Sequence, residues 1–116
     1  MDVKAIQQQI AAFADERDWE QFHSPKNLCM ALSGEAAELS EHFQWLTEAQ
    51  SRAPMAADKK QAVGEELADV FIYGLRICDK LGIDIEHAIQ AKIRLNAKND
   101  PVSLSKGSIT KYSDRS

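Results

Sequence analysis

The stretch GEAAE at residues 34–38 is the most informative part of this chain, and the stretch EELAD at residues 65–69 repeats its pattern. In each stretch two acidic residues lie three positions apart, a spacing that places both side chains on one face of an α-helix. The four acids with this spacing are Glu35, Glu38, Glu66 and Asp69. The repetition predicts two helices that each present a pair of carboxylates.

Both acidic pairs interrupt apolar stripes at helical spacing. Around the first pair the stripe consists of Leu28, Leu32, Leu39, Phe43 and Leu46. Around the second pair it consists of Val63, Leu67, Val70, Leu75 and Cys78. Glu35 lies on the first stripe, while Glu66 and Asp69 lie along the edge of the second. A single such pair is typical of a solvated helix face, but two intruding pairs predict a shared cation, because an unpaired buried carboxylate is costly.

The length of 116 residues and the net charge of -4 are typical of one soluble domain. We expect this domain to cover residues 1–101 and a mobile C-terminal tail, which becomes ordered only against something else, to cover residues 102–116. No long apolar run or signal-peptide pattern is present, so a cytoplasmic location is expected, with no membrane and no nucleic acid polymer as partner. Cys29 and Cys78 are expected to be free core thiols.

Four helices and no strand are predicted from caps and apolar periodicity. Their expected starting signals are Asp2, Ser24 before Pro25, a capping box of Asp58 with Gln61, and Asp84. Their expected ends are Arg17, Trp45, Leu81 before the stop residue Gly82, and Asn99. Residues 47–57 are expected to form a loop. This order predicts an all-α fold, a four-helix bundle.

Two facing acid pairs suit Mg²⁺, which is usually held by a few carboxylates together with substrate phosphates. Lys92 and Asn96, four apart on the last helix, offer a charge and an amide for phosphate oxygens, and Trp19 and Trp45 are candidates for stacking a base. His23 is interpreted as a hydrogen-bonding loop residue, because no other His or Cys lies at metal-ligand spacing.

Two other classes of function stay open on this reasoning. In a non-catalytic helical binding module the acidic face would accept a basic partner. A ferritin-like redox bundle would need Glu-x-x-His on two helices, for which Asp84-x-x-His87 is a poor substitute. The redox bundle therefore ranks last.

The acid pattern resembles the signature of the MazG-like all-α nucleoside triphosphate pyrophosphohydrolases. The likeness covers nearly the whole chain and is strongest to the dCTP pyrophosphatase branch, including stand-alone MazG proteins of bacterial integrons. It is carried by residues 13–23, Pro25-x-Asn27-Leu28, residues 34–45, residues 65–73, Lys92-x-x-x-Asn96 and Lys111-Tyr112.

The resemblance implies hydrolysis of a deoxynucleoside triphosphate, with dCTP or a related one favoured, between the α and β phosphates. The products would be the monophosphate and pyrophosphate, and the role would be housecleaning of the nucleotide pool. It implies Mg²⁺ binding and catalysis by Glu35, Glu38, Glu66 and Asp69, and substrate binding by Trp19, His23, Trp45, Lys92, Asn96, Lys111 and Tyr112. Family members work as dimers, commonly paired into tetramers, with the site completed across subunits. The resemblance therefore implies a homodimer or homotetramer, in which the tail with Lys111 and Tyr112 would dock on a partner subunit.

Two positions depart from the family pattern. Asp100 precedes Pro101 where related sequences commonly have tyrosine, and Ile10 stands where some vertebrate members carry histidine. The base preference therefore stays open, whereas the four acids show no departure.

Overall fold

The structure, a computed structural model, describes residues 1–109 and contains only helices and connecting turns in that range. The helices are α1 (Val3–Glu16), α2 (Pro25–Glu41), α3 (Glu48–Arg52), α4 (Ala57–Leu81), α5 (Ile85–Asn99) and α6 (Val102–Ser105), with a short 3-10 turn at Glu20–Phe22. The predicted all-α class is thus confirmed. None of these helices is both long and apolar enough to cross a membrane.

Most of the predicted helix boundaries are confirmed by their caps. The Asp2 carboxylate accepts a hydrogen bond from the Ala5 amide at 3.0 Å, and the Ser24 hydroxyl accepts one from the Asn27 amide at 3.1 Å. Gly82 ends α4 with φ of 67°, a left-handed conformation that favours glycine. These local signals suffice because each cap satisfies amides that a helix end leaves unpaired.

Two differences from the predictions lie between α2 and α4. Helix α2 ends at Glu41 rather than near Trp45, because the chain tightens there, with the Phe43 amide bonded to the Ser40 carbonyl. The predicted loop contains α3, which begins with a capping box formed by Thr47 and Gln50.

The capping box predicted at Asp58 is wrong. Ala56 is the N-cap of α4 and makes no side-chain capping bond, so Asp58 lies in the first turn of the helix. An acid in the first turn is still favourable, because it faces the positive end of the helix dipole. The segment after residue 101, predicted to lack secondary structure, begins with α6.

The chain divides into two compact units, the first covering Met1–Gly82 and the second beginning at Ile83. In the first unit α4 packs against both α2 and α1. Its core is small, and its buried apolar side chains are Ala14, Leu28, Leu75 and Cys78. Both cysteines are free as predicted, but Cys29 is exposed rather than in the core. The four-helix bundle and the boundary at residue 101 stay predictions.

Candidate active site

Packing of α2 against α4 brings three of the four predicted acids together. Ligand oxygens of Glu35, Glu38 and Glu66 all lie within 4.8 Å of one another, and we call these three residues the acid cluster. Glu35 and Glu66 are half-buried, while Glu38 is exposed. The spacing of three within each helix and the contact between the helices therefore produce the convergence expected from the sequence.

The acid cluster concentrates negative charge, and no ion pair with a cation of residues 1–109 balances it. The pKa of Glu35 is raised, first by hydrogen bonding to Glu66, and then by burial and by the charge of Asp69. The pKa of Glu38 is raised by its hydrogen bond with Glu35 and by the charge of that neighbour. The Oε2 atom of Glu66 is buried and meets no hydrogen-bond donor among the described residues. Such an acceptor is unfavourable unless a proton or a cation binds to it.

Asp69 lies one turn after Glu66 on α4 and is half-buried. It is not within the mutual 4.8 Å of the acid cluster, but its charge raises the pKa of both Glu35 and Tyr73. Asp69 also lines a pocket of about 360 Å³. This residue therefore connects the acid cluster with the pocket.

The pocket is mainly aromatic and apolar, and we call it the aromatic pocket. Its walls are formed by Ile10, Phe13, Ala14, Trp19, His23, Asp69, Ile72, Tyr73 and Arg76. The rings of Phe13 and Trp19 meet edge to face at 5.6 Å between centroids, and Trp19 and His23 do so at 6.3 Å. Flat walls of this kind suit a planar ring.

The sequence analysis missed Arg76 and Tyr73. Arg76 is only 5% exposed, forms an ion pair with Glu20, and lies 3.7 Å from an Asp79 oxygen. Glu20 also pairs with Lys80, and we call these four residues the arginine cluster. A charged residue within the apolar run Leu75 to Cys78 was the signal that could have identified Arg76.

His23 is a neighbour of the arginine cluster at the pocket wall. Arg76 donates a hydrogen bond from Nε to Nδ1 of His23 at 3.3 Å. Burial and then the charge of Arg76 lower the pKa of His23. Tyr73 also lines the pocket, and burial followed by the charges of Glu35 and Asp69 raises its pKa.

Other predicted site residues lie elsewhere. Trp45 follows α2, is 86% exposed, and is not part of the aromatic pocket. Lys92 and Asn96 are exposed and lie one turn apart on α5, in the second unit. Lys111 and Tyr112 lie outside the described residues. The roles of these four residues and of Trp45 stay predictions.

Comparisons with known proteins agree with the resemblance in the sequence. The chain is 46% identical over 106 residues to dCTP pyrophosphatase 1 of Rattus norvegicus and 40% identical over 105 residues to that of Homo sapiens. Each match covers 90% of this chain, which spans 62% of the length of these relatives.

A solved structure and a family model match as well. The crystal structure of a pyrophosphatase from Archaeoglobus fulgidus aligns with a TM-score of 0.72 at 33% identity, over 87% of this chain and 94% of the other. The model of the MazG-like family matches residues 30–114, which include all four acids. The chain belongs to the MazG-like family.

Proposed function

We propose that this protein is a Mg²⁺-dependent pyrophosphohydrolase that cleaves a deoxynucleoside triphosphate between its α and β phosphates. Water adds across that phosphoanhydride, and the products are the deoxynucleoside monophosphate and pyrophosphate. The observation that carries the proposal is the acid cluster with its buried unpaired Glu66 oxygen, joined through Asp69 to an aromatic pocket. The names of the curated relatives, dCTP pyrophosphatase 1, support the same reaction class.

The acids fit Mg²⁺ by their donor chemistry. Magnesium prefers oxygen ligands and binds through a few carboxylates together with substrate phosphates, and the orphaned Glu66 oxygen is a ready ligand. Glu35, Glu38, Glu66 and Asp69 would hold the metal and act in catalysis. The bound cation would supply neutralisation of the triphosphate charge and polarisation of the phosphate to be attacked. A carboxylate oxygen left free by the metal would accept the proton of the attacking water.

The aromatic pocket would bind the nucleobase. A volume of about 360 Å³ is at the small end of ligand pockets, which suits a base better than a whole triphosphate. Trp19 would contact the face of the base, and His23 would lie at its edge. Because Asp69 borders both regions, the sugar would be placed so that the phosphates reach the acid cluster. We favour dCTP or a related dNTP because the relatives carry dCTP in their names.

The remaining contacts are proposed from the family resemblance. Lys92 and Asn96 would hold phosphate oxygens through an ammonium and an amide, and Lys111 and Tyr112 would complete the substrate site. Trp45 would also bind substrate, in a complete assembly. Removal of unwanted nucleotides from the cytoplasmic pool is the role that we propose for the reaction.

We propose further that the active form is a homodimer or homotetramer. Large apolar side chains on the helices of the first unit are exposed, including Met30 at 65% and Phe71 at 62%, while the core holds few residues. Exposed apolar surface of this kind is typical of an interface, and a second copy is the partner that the family resemblance implies. Light scattering coupled to size-exclusion chromatography measures the number of subunits in the assembly. A monomer at micromolar concentration would contradict the proposed oligomer.

An anion-exchange assay of products tests the reaction. Each deoxynucleoside and ribonucleoside triphosphate is incubated with the protein in Mg²⁺ and then in excess chelator, and monophosphate is separated from diphosphate. We expect Mg²⁺-dependent monophosphate and pyrophosphate, fastest from dCTP or a related dNTP. The variant Glu38→Gln should lose turnover, whereas Glu41→Gln, an exposed acid three residues later, should retain it. Monophosphate formed equally in chelator, or by Glu38→Gln at the normal rate, would contradict the metal site.

A further inference from the structure

Arg76 is unusual because it is the one charged side chain that is buried in the described part of the chain. Its terminal guanidinium nitrogens face carboxylates, since Nη2 pairs with Glu20 and Nη1 lies 3.7 Å from Asp79. Lys80 holds the other oxygen of Glu20. These contacts fix the guanidinium and leave Nε as the nitrogen that faces His23.

The contact between Arg76 and His23 determines where the imidazole carries its proton. A guanidinium is only a donor and stays protonated in proteins, so Nδ1 of His23 must accept the bond with its lone pair. The ring is then neutral, and its one proton is on Nε2. The lowered pKa of His23 agrees with this neutral form.

We propose that Arg76 is a positioning residue that holds His23 in the Nε2–H tautomer, so that the aromatic pocket presents an N–H donor to a hydrogen-bond acceptor on the edge of the bound base. The ligand part of this inference rests on the proposed function. Within residues 1–109 no side chain or backbone group is seen to bond Nε2, so this donor is available to a ligand. A pyrimidine with a ring nitrogen or carbonyl acceptor on its edge has the matching chemistry.

The tautomer is tested directly by long-range ¹H–¹⁵N NMR of the full-length protein without nucleotide. The wild type should show the nitrogen shifts of one neutral form, with the proton on Nε2 of His23. Arg76→Met keeps the aliphatic stem but removes the donor, so both neutral tautomers should appear. Lys80→Met is the matched control, because it removes a charge from Glu20 without touching His23. Arg76→Leu also removes the donor to His23 and gives a second test if Arg76→Met folds poorly.

Kinetics test whether the donor reaches the base. With dCTP or whichever triphosphate the wild type hydrolyses, Arg76→Met should raise KM about tenfold and change kcat little, as expected for loss of one directed hydrogen bond. His23→Phe should raise KM similarly. The double variant should be no worse than His23→Phe alone, because Arg76 acts through that ring. Lys80→Met should keep the wild-type KM.

The outcomes separate the inference from the proposed function. A single Nε2–H tautomer in both Arg76 variants would overturn the positioning role, even if the enzyme is active. Additive KM effects in the double variant would overturn the route through His23. No turnover of any triphosphate by the wild type would overturn the proposed function together with the ligand part, while the NMR result would still decide whether Arg76 sets the tautomer.

Discussion

The acid cluster and the arginine cluster both place charge against α4, yet only the second is neutralised within the described chain. Arg76 is buried beside carboxylates from Glu20 and Asp79. In the acid cluster, like charges meet, and one Glu66 oxygen has no donor from residues 1–109. A paired buried charge stabilises the fold and orients its neighbours, whereas the unbalanced acids are the basis of the metal site that we propose.

The largest expected effect comes from a substitution in the acid cluster, where the charges are not balanced. Glu66→Gln should reduce Mg²⁺-dependent turnover by about 100-fold or more, because one of the proposed metal ligands is lost. In chelator the same change should not lower the free energy of unfolding, since it removes one of three neighbouring negative charges. Product assays and chemical denaturation measure the two quantities.

The matched control for Glu66→Gln is Glu65→Gln. Glu65 is the preceding residue on the same helix, is exposed, and lies outside the acid cluster. Turnover by Glu65→Gln should therefore stay near that of the wild type. If Glu66→Gln were as active as Glu65→Gln, or clearly less stable in chelator, the acid cluster would have to be regarded as structural.

In the arginine cluster, where the charges are paired, substitutions should instead lower the stability of the fold. Arg76→Met should lower the free energy of unfolding by about 2 kcal/mol, because the buried ion pair and the bond to His23 are both lost. Lys80→Met should cost only about 0.5 kcal/mol, since its partner Glu20 is half exposed and keeps Arg76. Urea denaturation distinguishes the two values, and equal losses would show that burial of Arg76 carries no special weight.

The acid cluster and the arginine cluster also differ in how much of each could be predicted from the sequence. The acids were found because local rules are enough: a spacing of three within each helix and an apolar stripe on which Glu35 intrudes. Their convergence needed only the packing of α2 on α4. The spacing of three places Asp69 on the same face of α4 as Glu66, but its position at the aromatic pocket depends on tertiary structure.

Arg76 could not be predicted in the same way. Its partner Glu20 is 56 residues earlier in the chain, in a segment that sequence periodicity describes only as a break between helices. Trp45 is 86% exposed in the single chain, so its predicted place beside a base depends on contacts that spacing cannot supply and stays a prediction. Long-range pairing and burial are determined by tertiary packing, and helix propensity and residue spacing carry no information about that packing.

The free energy of unfolding should depend on pH in opposite ways through His23, beside the arginine cluster, and through the acids of the acid cluster. Because the pKa of His23 is lowered from 6.5 in the folded state, the unfolded chain takes up the proton first. The stability from neutral His23 is present above pH 6.5 and is lost as pH falls through the lower folded value. The raised pKa values of Glu35 and Glu38 act oppositely, since their contribution is present below pH 4.5 and is lost as pH rises.

Comparison of the wild type with His23→Phe isolates the histidine part of this pH dependence. Between pH 7 and pH 5 the wild type should lose more stability than His23→Phe, with an upper limit of about 1.4 kcal/mol per pH unit for one proton. Urea denaturation at several pH values in chelator measures the difference. Parallel curves for the two proteins would mean that His23 is not held neutral by its surroundings.

The smallest expected effect concerns the contact between α2 and α4 that aligns the acids. A Cβ atom added at Gly74 would lie 3.8 Å from Cδ1 of Leu32, an ordinary van der Waals distance. Gly74→Ala should therefore raise the free energy of unfolding by about 0.5–1 kcal/mol through helix propensity, without loss of turnover. Gly82→Ala should instead lower the free energy of unfolding by about 1 kcal/mol, because the φ of 67° at this residue is left-handed. Destabilisation by Gly74→Ala would show that the two helices approach more closely, and that the spacing of the acid cluster depends on the absence of a side chain at this residue.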